Sequence, residues 1–159
     1  MALLEKQLVV KKSTIPGSGN GLFTKVFIPK GTRIVEYKGR ITSWKDADHD
    51  DGHNLYLFYI KRYHVIDARP YKKALARFSN DANGFTKVPG LKNNSTYVTD
   101  GLKAFLESTK DIQAGEEIFV DYGKKYWVEL KKIMKKKEKE EKEKAIKKKV
   151  VKKKTVSKR

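Results

Sequence analysis

From Leu3 to about Trp127 the apolar residues come in short runs separated by turn formers, and long 3.6-residue periodicity is missing. Leu8-Val9-Val10 is a β-branched run, and Leu22 to Phe27 alternates until Ile28-Pro29-Lys30-Gly31, where proline stands at the second position of a turn. Arg33 to Tyr37 reads as a further strand. Leu55–Ile60 and Tyr63–Asp67 flank Lys61-Arg62 as a hairpin, and Thr96–Thr99 and Ala104–Glu107 flank Asp100-Gly101 as a second one. Ala114-Gly115 opens a last β-rich stretch that breaks at Asp121-Tyr122-Gly123, with Tyr126 and Trp127 just beyond. Many short strands with regular turns predict a mostly β domain.

The pattern changes after that. Trp127, Leu130, Ile133 and Met134 have helical spacing, and Lys135 to Lys149 is nearly all Lys and Glu. Glu138 with Lys142, Glu140 with Lys144 and Glu143 with Lys147 stand at i and i+4, a spacing that supports a helix. The same stretch lacks an apolar face and is equally compatible with disorder. Residues 1–130 are therefore expected to form the domain and 131–159 a Lys-rich tail. Within 131–159, sixteen Lys or Arg against four Glu supply +12 of the chain's net +18. Such a polycation attracts phosphate backbones by counterion release, whatever the nucleic-acid sequence. There is no cysteine, which excludes disulfides and thiolate chemistry. No apolar run reaches membrane-spanning length, and the N-terminus does not read as a signal peptide. An intracellular protein without a membrane partner is expected.

Three polar stretches carry candidate chemistry. Gly17-Ser18-Gly19-Asn20-Gly21 could offer bare backbone amides to a ligand but has neither dinucleotide-fingerprint nor P-loop spacing, so taken by itself it reads first as a plain turn. Asp46, Asp48, His49, Asp50, Asp51 and His53 form an acidic and imidazole patch. It fails calcium-loop register, because the sixth position from Asp46 is Asp51 and the twelfth is Leu57. No metal is expected there; a solvated loop is, though its charge suits a lysine-rich partner. Arg77 to Gly84 is polar and turn-like, with asparagines able to read a ligand that bears both an amine and a carboxylate.

In order, the pieces resemble the SET-domain protein lysine methyltransferases from about Leu8 to Trp127. The matching blocks are Gly19-Asn20-Gly21-Leu22-Phe23; Pro29-Lys30-Gly31 leading to Glu36-Tyr37-Lys38-Gly39; Ile66-Asp67-Ala68; Arg77-Phe78-Ser79-Asn80; Asn94 with Tyr97; and Gly115-Glu116-Glu117 with Asp121-Tyr122-Gly123. The resemblance implies several small curved sheets with a threaded, pseudo-knotted C-terminal segment, a rare exception to unknotted chains. It implies S-adenosylmethionine as methyl donor and the ε-amine of a protein lysine as acceptor. Tyr122 matches the catalytic tyrosine and Tyr37 a second tyrosine of the site. Gly19, Asn20, Gly21 and Leu22 would give backbone contacts to the cofactor, Asn80 would hold its methionine end, and Trp127 lies where an aromatic covers the adenine.

This chain departs from the family where the usual Asn-His-Ser-Cys reads Asn80-Asp81-Ala82-Asn83. The family's histidine serves through its backbone, so Asp81 stays among the expected cofactor contacts. Gly84 to Lys92 is an insertion, and cysteine-rich zinc segments are missing, which leaves Tyr126, Trp127 and the following helix to close the lysine channel. Val120, two residues before the catalytic tyrosine, is small and lacks a donor and so points beyond monomethylation, whereas Tyr97 matches a position where tyrosine restricts it; Val120 is weighted more. The expected substrate is a basic, DNA-associated protein, with the tail as a nucleic-acid contact and a possible target of self-methylation. A bacterial or archaeal source would make the protein cytoplasmic and nucleoid-associated, a eukaryotic one nuclear. Two alternatives are a SET-like binding module that has lost catalysis and a small nucleic-acid-packaging protein.

Overall fold

The computed structural model describes residues 3–157, which form a body ending at Tyr122 and a helical unit beginning at Gly123. In chain order the strands are β1 (Leu8–Lys12), β2 (Asn20–Thr24), β3 (Arg33–Glu36), β4 (Arg40–Thr42), β5 (Leu57–Lys61), β6 (His64–Asp67), β7 (Ser95–Asp100) and β8 (Lys103–Ser108), and the helix is α1 (Lys124–Ser157). They build a two-stranded sheet β1-β2 and two three-stranded sheets, β3-β8-β7 and β4-β6-β5.

All the strand pairs within these sheets are antiparallel, as short runs joined by tight turns dictate. Both expected hairpins form. Lys61 faces His64 across Arg62-Tyr63, and Asp100 faces Lys103 across a turn in which Gly101 takes φ +59°. β2 ends sooner than the alternation after Leu22 predicts. The Thr24 hydroxyl donates to the Val26 carbonyl at 2.7 Å and accepts from the Val26 amide at 3.2 Å, which curls the chain away.

Leu22, Ile28, Ile34, Leu106, Ile112, Ile118 and Val120 are wholly buried and belong to one core cluster that draws on every sheet. Each such side chain contributes roughly 1.5–3 kcal/mol by leaving water.

The last stretch of the body is not a regular strand. Phe23 bridges Glu117 antiparallel, while Asn80 bridges Phe119 and Ser95 bridges Val120, both parallel. Residues 117–120 therefore run between the two limbs of the 80–95 loop, bonded to each. On one side Val120 N–H donates to the Asn80 carbonyl at 2.9 Å; on the other Ser95 N–H donates to the Phe119 carbonyl at 2.9 Å. This is the threaded segment.

α1 spans 34 residues, about 51 Å at helical rise. Lys, Glu and Ala without Gly or Pro favour it. Among the described residues it closes an ion pair between Lys132 and Glu129 at i and i+3, 3.1 Å apart, rather than the i,i+4 pairs read from the sequence.

Close approach rather than turn geometry explains Gly39: a Cβ there would lie 2.4 Å from the Asp67 carbonyl oxygen of β6. Backbone cannot swing aside as a side chain can. Gly39→Ala is expected to destabilise the body by about 1–3 kcal/mol, seen as a lower denaturant midpoint at unchanged slope.

Candidate active site

Threading brings Tyr122 to the end of the body. Its hydroxyl donates to the Ser79 carbonyl at 2.5 Å. The Ser79 hydroxyl in turn donates to the Ile118 carbonyl at 2.7 Å. The phenol's own proton is thereby committed to Ser79, and what the oxygen can offer a ligand is an acceptor.

Tyr37 and Tyr97 stand with Phe58, which the sequence reading left out. The ring centroids are 5.6 Å apart for Tyr37–Phe58, 5.8 Å for Tyr37–Tyr97 and 5.1 Å for Phe58–Tyr97, the last two edge-to-face. Aromatic pairs in this geometry add about 0.5–1.5 kcal/mol beyond burial. Tyr37 is buried, and its hydroxyl donates to the Tyr56 carbonyl at 3.0 Å. Arg77 holds the Tyr56 ring from outside, its guanidinium 4.3 Å from the centroid, while donating to the carbonyls of Ala68 and Arg69. Tyr56, Phe58, Tyr97 and Tyr122 all pack on the core cluster that contains Tyr37 and the fully buried Val120.

The glycine loop closes the β1-β2 turn, with Gly17 at φ +79° and Gly19 at φ +64°, a region that favours glycine. Beneath it lies Glu117, only 4% exposed, another residue to which sequence reasoning gave no role. Its carboxylate accepts from the Ser13 hydroxyl at 2.7 Å, the Thr14 amide at 2.8 Å, the Thr14 hydroxyl at 2.6 Å and the Asn80 side-chain amide at 3.3 Å. Gly21 makes room for it, since a Cβ there would fall 2.1 Å from Glu117 Oε1. Asn80 Nδ2 also donates to the Asn20 carbonyl at 3.0 Å. The Asn80 amide thus links the Asn20 carbonyl to the Glu117 carboxylate, which lies against Gly21. Leu22 is buried, so only its backbone remains for a ligand, and its carbonyl already accepts from the Ile118 amide at 2.7 Å.

Asp81 has a structural task that its place in the sequence did not reveal. It is 5% exposed, and its carboxylate accepts from the Asn83 amide at 2.8 Å, the Asn93 side chain at 2.8 Å and the Tyr122 amide at 2.9 Å. The Ala82 amide donates to Asn93 Oδ1 at 2.8 Å, so the residues flanking the Gly84–Lys92 insertion are clamped together. One carboxylate closes the loop and fixes the backbone of the candidate catalytic tyrosine. Asn94 does similar work with an amide: its Oδ1 accepts from the Phe119 amide and its Nδ2 donates to the Glu117 carbonyl, both at 2.9 Å.

Tyr126 and Trp127 lie in the first turns of α1, half-buried, with centroids 5.1 Å apart.

The SET domain model matches residues 19–123, from the glycine loop through Tyr122. The chain belongs to the SET domain family. Its curated relatives include the histone-lysine N-methyltransferase EZH2 of Chaetomium thermophilum, 29% identical over 145 residues that make up 84% of this chain. N-lysine methyltransferase KMT5A-A of Danio rerio is 30% identical over 122 residues, 69% of this chain. The matched regions span only 9% and 33% of those relatives. Among solved structures, the methyltransferase domain of human PR domain-containing protein 2 superposes with TM-score 0.57 at 22% identity, covering 76% of this chain and 79% of that one; this likeness bears on the fold. Within the SET frame, the Asn80-Asp81 departure is a substitution with its own hydrogen-bond logic.

Asp81→Asn keeps the shape but turns one acceptor into a donor facing an N–H. A loss of about 1–3 kcal/mol is expected from the buried mismatch, measurable by urea unfolding, together with faster hydrogen exchange at the Tyr122 amide.

Proposed function

We propose that this SET protein transfers methyl groups from S-adenosylmethionine to the ε-amine of lysine in a basic, DNA-associated protein. The observation that carries the reading is the convergence on one core cluster of the Tyr122 phenol, whose proton is held by the Ser79 carbonyl, and an aromatic group of Tyr37, Phe58 and Tyr97. The names of the relatives, lysine methyltransferases, support the same chemistry.

Asn80 supports the fit of the donor. Both hydrogens of its amide are spent, on Asn20 and Glu117, while among the described residues its Oδ1 accepts nothing. That leaves an acceptor for an ammonium beside a loop of backbone amides at Gly19 and Asn20. Asn80, Gly19, Asn20, Gly21, Leu22 by its backbone and the Asp81 backbone would hold the donor. When bound, it supplies a methyl on a sulfonium, ready for in-line displacement. The rest is positioning. Lysine must be neutral to attack, and an aromatic channel favours the neutral amine by desolvation. The Tyr122 oxygen accepts from the amine and stabilises positive charge near the methyl. Val120 leaves the inner end free of a donor, and products beyond monomethyl-lysine follow from that.

α1 adds a nucleic-acid contact and tethered lysines that the same site modifies. The protein acts inside the cell; among the described residues no helix is long and apolar enough to cross a membrane.

Tyr122→Phe is expected to keep S-adenosylmethionine affinity while transfer falls roughly 10²- to 10⁴-fold. Asn80→Ala should instead weaken the binding and shrink the thermal shift the donor produces. Calorimetry and mass spectrometry of a methylated basic protein separate the two, and the masses report how many methyls are added. Equal transfer by Tyr122→Phe and parent would remove Tyr122 from the site.

Ending the chain at Lys131 should leave a folded body and abolish most DNA binding, which in the full chain falls steeply with salt. Retained affinity at all salt concentrations would place the contact elsewhere.

A further inference from the structure

The acidic loop between β4 and β5 has no part in the chemistry above. Trp44 is 46% exposed and Tyr59 55% exposed, yet their rings are fixed edge-to-face with centroids 5.5 Å apart. His49 pins the indole from the other side, with centroids at 4.5 Å and its Nε2–H donating to the Trp44 carbonyl at 2.6 Å. The Trp44 amide donates to the Arg62 carbonyl at 2.8 Å, tying the loop to the β5-β6 turn. An exposed tryptophan held by three neighbours is an ordered platform.

This platform is not the aromatic group at Tyr37. Tyr59 shares its register row with Val65 and Thr42, whereas Phe58 shares one with Ile66 and Ile41. Successive residues of a strand point to opposite faces. Phe58 reaches Tyr37 and Tyr97 on one face of the sheet, and Tyr59 meets Trp44 on the other.

The charge around it decides what it takes. Ser43 to Asn54 carries four Asp against one Lys in a chain of net charge +18. Asp50 is paired with Arg69 at 3.0 Å, but among the described residues Asp46, Asp48 and Asp51 make no ion pair. No three acidic or imidazole groups gather there as a metal-holding set, again among the described residues. A π-face on a loop that also carries carboxylates without an ion pair attracts cations twice over: the ring quadrupole and the negative charge act together. A polyanion would meet like charge.

The geometry points to the Trp44–Tyr59 platform and the Asp46, Asp48 and Asp51 carboxylates as a docking site for a lysine-rich polypeptide segment, on the sheet face opposite the reaction channel. A lysine ammonium lies over the Trp44 or Tyr59 ring, and neighbouring lysines meet the carboxylates. The inference rests on the basic-substrate part of the function proposed above, since the segment belongs to that partner; its test reads binding alone.

The test uses the full chain and a fluorescent Lys-rich peptide at low salt, with the same peptide carrying Gln for Lys and a single-stranded oligonucleotide as comparisons. The parent should bind the Lys peptide and not the Gln peptide. Trp44→Ala should weaken binding roughly three- to thirty-fold, Trp44→Phe much less, and the triple change Asp46→Asn, Asp48→Asn, Asp51→Asn by a similar factor. If Trp44→Ala fails to melt like the parent, Tyr59→Ala, at an exposed strand position, is expected to show the same loss. Lys-peptide affinity that is absent in the parent, or unchanged across these variants, would overturn the site. So would an oligonucleotide that alone loses affinity when Trp44 is removed. If S-adenosylmethionine does not bind the parent while the peptide binds and depends on Trp44, methyl transfer falls and the docking site stands.

Discussion

A buried peptide group must find a partner, and the segment from Glu117 to Tyr122 has no complete neighbouring strand to provide them. Side chains fill the gap. Asn94 takes an amide and a carbonyl, the Ser79 and Ser95 hydroxyls take the carbonyls of Ile118 and Phe119, and the Asp81 carboxylate takes the Tyr122 amide. The site depends on this stitching, because the last stitched residue is the tyrosine itself. Two sequence blocks far apart, around Asn80 and around Tyr122, become one object only through these bonds.

Two buried carboxylates serve the arrangement in different ways. Glu117 is met by hydroxyls and amides from the β1-β2 turn and from Asn80. Asp81 is met by N–H groups from Asn83, Asn93 and Tyr122. Each spreads its charge over several donors, which is how a carboxylate is tolerated away from water. In the first case the glycine loop is anchored; in the second, the backbone of the candidate catalytic tyrosine.

Much of this was legible in the sequence. The two hairpins follow from local alternation and turn residues, although each turn falls one residue later than the reading put it, at Arg62-Tyr63 and Gly101-Leu102, and the ordered blocks from Gly19 to Gly123 identified the family. What was not legible needs three dimensions. Phe58 reads as one apolar residue in a strand; only the pairing of β5 with β6 turns it toward Tyr37 while Tyr59 faces away. Asp81 reads as a departure from a motif until the Tyr122 amide is seen beside it. Glu117 resembles its exposed neighbour Glu116, and nothing local distinguishes the buried from the solvated carboxylate. The Lys-Glu stretch of α1 admitted helix or disorder because local propensity and the lack of an apolar face pull in opposite directions.

The threaded segment also sets an order of events during synthesis. Asn94 precedes its partner Glu117 by 23 residues. At the ~5–20 residues per second of translation, the 80–95 loop therefore exists for about one to five seconds before the chain that fills it has been made. Until then Asn94 lacks the Glu117 carbonyl and the Phe119 amide, and the Ser95 hydroxyl lacks the Phe119 carbonyl, to which they bond in the finished fold. A chain released before Glu117 lacks more than the candidate catalytic tyrosine: it lacks the segment that carries Ile118 and Val120 into the core.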